Sequence, residues 1–234
     1  MHDGSATAFE PDFSPNPPLQ AVAEWKLDAL TGDRSRLARA YPVLAAQHRW
    51  LVANRGLPDG TLWTTGLANG IDNSPSLGEG YPCLTAQMAH AAEIPGLMAS
   101  DLGFAEEAAE WEAERRRIAT ALEAHLWSEE HGIYSTSLAA GGHNPNKIVT
   151  GFWPLWTGLV PSERVERLAR QLLDPATFWR HHPLPSLAAD SSHFVPGGQY
   201  WRGSVWAPTS AATMWGFARA GHPDLARRTA LRHL

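Results

Sequence analysis

Two short stretches carry side chains whose types and spacing could do chemistry. The first is "GIDNSP", residues 70–75, within the longer run "LWTTGLANGIDNSP". Asp72 follows an apolar residue in a glycine-rich loop, so partial desolvation would favour its protonated form and suit it to donating a proton. The second is "GGQYWRGSVWAP", residues 197–208, which sets Tyr200, Trp201, Arg202 and Trp206 among three glycines. Large rings in such a loop must either be buried or present flat faces to a ligand. Both stretches also have a plain structural reading. Asp, Asn, Ser and Pro in succession are strong turn formers, and Trp206 serves equally as a site residue or a core residue. Trp63, nine residues before Asp72, places an aromatic ring close in sequence to the carboxyl group.

Other chemistries lack their residues. The chain has no G-x-S-x-G elbow, no phosphate-binding G-x-x-x-x-G-K-[ST] loop and no C-x-x-C pair. None of its eleven histidines forms H-E-x-x-H, and His181, His182 and His193 are the best metal candidates. They read as loop histidines without an ion, so no metal or cofactor is expected. The formal charge of -5 argues against a nucleic-acid partner. The basic run "ERRR", residues 114–117, sits among glutamates at helical spacing and reads as a solvated helix face. A single cysteine, Cys83, excludes an internal disulfide, and no apolar run is long enough to span a membrane. With no visible signal peptide, the expectation is a cytoplasmic protein.

The elements that must position these residues are helical. After an extended lead-in over residues 1–16, apolar residues spaced by three and four run from Leu19 to Leu30, with Gly32 as a stop. Ser35 is a candidate cap for the next helix, whose apolar face is Leu37, Tyr41, Leu44 and Leu51. A glycine- and proline-rich break over 57–82 follows, then a short helix over 84–92. The pattern predicts the longest helix over 104–126. Residues 132–150 are rich in glycine and asparagine, and "GFWPLWTGL" is an apolar segment broken by Pro154. Further helices begin at Ser162, Pro208 and Pro223, the last running to Leu234. No alternating β pattern occurs. Trp25, Trp50 and Trp111 lie on helical patterns and read as core residues; the total of eleven tryptophans exceeds what one core would use. Long loops on a helical scaffold usually carry function.

In that order, "GIDNSP", "LWSEEHGIY", "GFWPLWTGL", "PLPSLAADSSHF" and "YWRGSVW" resemble glycoside hydrolase family 63. The likeness is greatest to its bacterial mannosylglycerate and glucosylglycerate hydrolases, with trehalases as more distant relatives. The resemblance covers roughly residues 17–234. It implies an all-α (α/α)6 toroid and an inverting hydrolysis of an α-glucosyl or α-mannosyl bond in a small carbohydrate. One carboxylic acid then protonates the leaving oxygen while a second carboxylate, about 6.5–9.5 Å away, activates water. The resemblance implies Asp72 as the acid, with Trp63, Asn73, Tyr200, Trp201, Arg202 and Trp206 around the sugar. Arg202 would either hold a substrate carboxylate or brace its loop.

The family's base is a glutamate after "YWRG", and this chain has no glutamate after Glu166. Asp190 and Asp224 do not stand where the base belongs. Ser76 and Leu77 also replace the arginine and aromatic residue that often follow "DNSP", and Glu79 reads as a solvated loop residue. The expectation is an incomplete barrel, with roughly eight helices legible, a base beyond residue 234, and no activity in this chain alone. The alternative is a carbohydrate-binding barrel that has lost its base. An isoprenoid cyclase, which would need D-D-x-x-D or D-x-D-D, is excluded.

Overall fold

The computed structural model describes residues 18–66 and 68–234, so the lead-in expected over residues 1–16 lies outside the described residues. Along the chain come α1 (Gln20–Thr31), α2 (Arg34–Arg55), α3 (Pro82–Asp101) and α4 (Ala105–His125). A two-residue antiparallel pair, β1 (Trp127–Ser128) and β2 (Ile133–Tyr134), then precedes a 3₁₀ helix, Val149–Thr157. α5 (Ser162–Leu173), α6 (Ala207–Arg219) and α7 (Pro223–Leu231) complete the series. α1 packs on α3, α3 on the 3₁₀ helix, and the 3₁₀ helix on α6, which makes an inner succession. α2 and α4 back onto α3, and α7 backs onto α6. This is the two-layered, all-α toroid.

α3 is its axis of burial. Fourteen of its 20 residues are buried, among them Cys83, Met88, Ile94 and Met98, so most of its circumference is enclosed, as suits an inner helix. The main core joins Phe152 and Leu155 of the 3₁₀ helix to Leu168 and Leu172 of α5 and Phe217 of α6. Gly216 permits that closeness, since a Cβ there would stand 2.8 Å from Leu155 Cβ. Between α1 and α6 an apolar groove of about 460 Å³ stays open, lined by Leu19, Val22, Trp156 and the exposed Trp215. Among the described residues no helix is long and apolar enough to cross a membrane.

Several local expectations are corrected by packing. The short helix expected over 84–92 runs on to Asp101 through Pro95, because burial in the inner layer outweighs one lost backbone hydrogen bond. The longest helix is α2, at 22 residues and through Pro42, rather than α4 at 21. Asp33, not Ser35, caps α2: its carboxylate accepts from the Arg36 N–H at 3.1 Å, and Ser35 donates to that same carboxylate at 2.6 Å. "GFWPLWTGL" is not broken by Pro154; it forms the 3₁₀ helix. α7 closes at Leu231. Trp111 is core, whereas Trp50 is half exposed, with the Arg55 guanidinium over its ring. "ERRR" is only partly a solvated face, since Arg115 turns inward and donates to the Thr157 carbonyl.

One ion cluster fastens two helices of the inner succession to each other. The Arg219 guanidinium of α6 grips the Glu93 carboxylate of α3 with both terminal nitrogens, at 2.8 and 2.5 Å, and His90 Nδ1 lies 3.0 Å from the same group. Burial works against the Glu93 charge, but the hydrogen bonds from His90 and Arg219 outweigh it and hold the pKa at about 2. The folded value lies below the ordinary 4.5, so this stabilisation is complete above about pH 4.5 and is lost as pH falls toward 2. Glu93→Gln is expected to cost about 1–3 kcal/mol at pH 7, between the values of exposed and buried pairs. It should also flatten the loss of stability in that acid window. Urea unfolding at pH 7 and pH 3 checks this, and an unchanged pH slope contradicts it.

Candidate functional site

The Asp72 loop is built on tight backbone contacts. The Ile71 N–H donates to the Gly66 carbonyl at 2.8 Å, and the Ser74 N–H donates to the Ile71 carbonyl at 2.9 Å. A Cβ at Gly66 would lie 3.0 Å from the Asp72 carbonyl oxygen, so a side chain there would push that carbonyl by a few tenths of an ångström. The buried Ile71 side chain anchors the turn and leaves Asp72 and Asn73 half-buried. Beneath the loop, Asn69 Nδ2 donates to Cys83 Sγ of α3 at 2.7 Å. Burial pushes the Cys83 thiol up to about 12, so its sulfur is a neutral acceptor rather than a nucleophile.

The aromatic loop is shaped by backbone conformation. Gln199 and Tyr200 have φ of +35° and +66°, a left-handed stretch unusual for side-chain-bearing residues and costing about 1–3 kcal/mol each. Trp201 and Trp206 stack with centroids 4.6 Å apart and planes at 13°, and Tyr200 meets Trp206 edge-on at 5.5 Å. Trp201 is buried, Trp206 half-buried and Tyr200 half exposed. Trp206 is thus part of a ring stack rather than of the core, and its Nε1 donates to the Tyr200 carbonyl at 3.3 Å.

Asn73 joins the two loops. Its Nδ2 donates to the Gln199 carbonyl at 3.2 Å, and its Oδ1 accepts from the Trp201 N–H at 2.8 Å. The Trp201 indole Nε1 then donates to Asp72 Oδ2 at 3.2 Å, while among the described residues nothing donates to Oδ1. Arg202 Nε donates to the Asn73 carbonyl at 3.3 Å, which leaves both terminal nitrogens without a protein acceptor among the described residues.

Six of the seven residues singled out from sequence therefore lie in one connected cluster: Asp72, Asn73, Tyr200, Trp201, Arg202 and Trp206. Trp63 is tied instead to Arg55, whose guanidinium lies 4.4 Å over its ring. Glu79 is exposed. His181 and His182 touch edge-on at 4.6 Å, but among the described residues no group of three His, Cys, Asp or Glu could hold a metal. A cleft of about 820 Å³ behind the aromatic loop is lined by Gly197, Gly198, Gly203 and Ser204, with neither Asp72 nor Trp201 in its walls. Sequence reasoning passed over Asn144 and Asn146, which reach the Asp72 loop; their only signal was an asparagine-rich break.

An all-α toroid whose loops bring one aspartate against stacked tryptophans is a six-hairpin glycosidase architecture. The chain belongs to the family described as the mannosylglycerate hydrolase MGH1-like glycoside hydrolase domain, which matches residues 5–234. It is 36% identical over 107 residues to a mannosylglycerate hydrolase of Thermus thermophilus, a match covering 44% of this chain and 25% of that protein. It is 24% identical over 220 residues to an uncharacterised protein of Borreliella burgdorferi, covering 93% and 46% of the two. The crystal structure of the family 63 mannosylglycerate hydrolase of Thermus thermophilus in complex with glucose superposes with a TM-score of 0.83. The two are 26% identical, over 97% of this chain and 68% of that one. The chain thus spans less than half the length of these curated relatives.

The Asn73 clamp can be tested directly. Asn73→Ala leaves the Gln199 carbonyl and the Trp201 N–H without their partner, and should destabilise the protein by about 1–3 kcal/mol. Amide exchange at Trp201 should rise while α3 stays protected. Unchanged stability and unchanged exchange in residues 197–206 would refute the clamp.

Proposed function

We propose that this chain carries the acid half of an inverting glycoside hydrolase, with Asp72 as the general acid. The observation that carries the reading is the Trp201 Nε1 bond to Asp72 Oδ2. An indole N–H can only donate, so it occupies Oδ2 as an acceptor and leaves Oδ1 unengaged, open to a glycosidic oxygen. Asp72 then protonates the glycosidic oxygen as the bond to the anomeric carbon breaks. Tyr200 and Trp206 offer ring faces to the C–H patches of a pyranose, with the buried Trp201 stacked against Trp206 and turned to Asp72. Trp63, with Arg55 over its ring, stands apart from this cluster and is not offered as a sugar contact.

The substrate class is a small α-glucoside or α-mannoside, with glucosylglycerate and mannosylglycerate foremost. Mannosylglycerate hydrolases among the relatives support this class, and so do the free terminal nitrogens of Arg202, which can take a carboxylate bidentately. Its Nε braces the loop at the same time, so one arginine can hold the loop and a substrate carboxylate together.

Inversion needs a second carboxylate to activate water. Asp190 is engaged by Lys147, and Asp224 is exposed in the first turn of α7, so neither is offered as the base. The base is placed outside residues 1–234, in the position that relatives fill with a glutamate after "YWRG", and the chain alone is expected to be inactive. One observation favours a second reading, a carbohydrate-binding barrel without turnover. Among the described residues no other carboxylate shares a hydrogen bond or ion pair with the Asp72 cluster.

A panel of glucosylglycerate, mannosylglycerate, trehalose and short α-glucosides, assayed on the full-length protein, separates the readings. Asp72→Asn should lower kcat by about 10²–10⁴-fold with the fold intact, the span expected for loss of a general acid. Full activity in that variant would reduce Asp72 to a turn residue. Binding of a sugar without turnover by the wild type would establish the second reading.

A further inference from the structure

The backbone that follows Asp72 is almost unsupported by its own kind. Pro75 has no N–H to give. Among the described residues, the next backbone–backbone bond after that of Ser74 is the Glu79 N–H to the Ser137 carbonyl, at 2.8 Å. The carbonyls of Pro75 and Leu77 are held instead by side-chain amides from a distant loop. Asn144 Nδ2 donates to the Pro75 carbonyl at 3.0 Å and to the Leu77 carbonyl at 2.9 Å. Asn146 Nδ2 donates to the same Pro75 carbonyl at 3.2 Å.

These two amides are themselves fixed. Asn144 is buried, and its Oδ1 accepts from the Asn146 N–H at 2.9 Å and from Asn146 Nδ2 at 3.1 Å. Both donors and both acceptor positions of Asn144 are thereby used. Asn146 Oδ1 accepts from Ser191 Oγ at 2.7 Å, which ties in the segment leading to the aromatic loop. The chain around them is set by the Asn144 N–H to the Thr136 carbonyl, at 2.8 Å, and by the ion pair of Lys147 with Asp190. Asn144 is the buried, fully satisfied centre of this network, with Asn146 and Ser191 half-buried around it, and such a centre rigidifies the segments it joins.

We propose that Asn144 and Asn146 are positioning residues for Asp72, with Ser191 as their anchor. The inference rests on the glycosidase reading. Asn73 fixes the front of the acid's loop to the aromatic loop, and the asparagine pair fixes its back. With both ends held, the carboxyl group cannot drift from the scissile oxygen by the ångström or so that costs about 10²-fold in rate.

Asn144→Asp is the sharpest test. It keeps size and shape, but removes both donors and sets a carboxylate oxygen against two carbonyl oxygens. In the full-length protein, kcat should fall about 100-fold while KM stays within about 3-fold. The limb of the kcat–pH profile that follows Asp72 should move, because the surroundings of the acid change. Amide exchange should rise over residues 68–80 and stay unchanged in α3. Ser191→Ala, a milder change, should shift the same readouts in the same direction if Asn144→Asp does not fold. Unchanged kcat overturns the proposal, and so does a fall in kcat that tracks global loss of protection with the pH limb in place. Exchange is read without turnover, so the two failures are distinguishable. Loosening of residues 68–80 in Asn144→Asp, with no turnover in the wild type, overturns the glycosidase reading and leaves only the clamp. Normal wild-type turnover with no effect of Asn144→Asp overturns this inference alone.

Discussion

The geometry of the site depends on one primary amide. Asn73 bonds a carbonyl 126 residues away with its nitrogen and an N–H 128 residues away with its oxygen. It does for the turn at Gln199 and Tyr200 what a neighbouring strand would do for an ordinary extended segment. Two consecutive left-handed residues are tolerable because their flanking polar groups are satisfied. In that conformation the Trp201 ring lies on Trp206 with its N–H aimed at Asp72. The strain of the turn and the placement of the carboxyl group are therefore one problem with one solution.

A bond between loops so far apart in sequence is only as rigid as the scaffold beneath them. The inner layer supplies that rigidity through burial of α3, close approach at Gly216 and the grip of Arg219 on Glu93. Arg115 adds a bond from α4 to the end of the 3₁₀ helix, so the outer layer is also tied to the inner one. Loops rest on this frame through side chains more than through backbone pairing, since the only paired strands among the described residues are two residues long. Asparagine recurs at these joints, at positions 69, 73, 144 and 146, because its amide both donates and accepts and can stand in for a missing peptide group.

Much of this was legible in the amino-acid order. Helical spacing marked the helices, and glycine and proline marked the long breaks between them. The aromatic loop stands out for rings too large to expose without a use, and "GIDNSP" for a carboxyl group in a glycine-rich loop. What could not be seen was decided by tertiary packing. The helix expected to end at residue 92 runs on through Pro95 to Asp101, because the inner layer buries its surroundings. Arg115 read as one charge in a solvated run until its carbonyl partner in the 3₁₀ helix was known. Asn144 and Asn146 looked like ordinary loop residues, since the carbonyls they hold are 67 and more residues away. Motif position was informative where chemistry is local, and silent where a side chain serves a remote backbone.

In the proposed reading Asp72, held through one oxygen by an indole and with its loop fixed at the front by Asn73, gives a proton to the glycosidic oxygen while water displaces the sugar in a single step. The stereochemistry of the first product tests that most directly, because single displacement by water inverts the anomeric centre whereas a covalent glycosyl intermediate retains it. Proton NMR of the full-length protein during the first moments of hydrolysis of mannosylglycerate or glucosylglycerate reads the anomer before mutarotation. Release of the β-anomer from the α-linked substrate is the predicted result. Initial release of the α-anomer would contradict it.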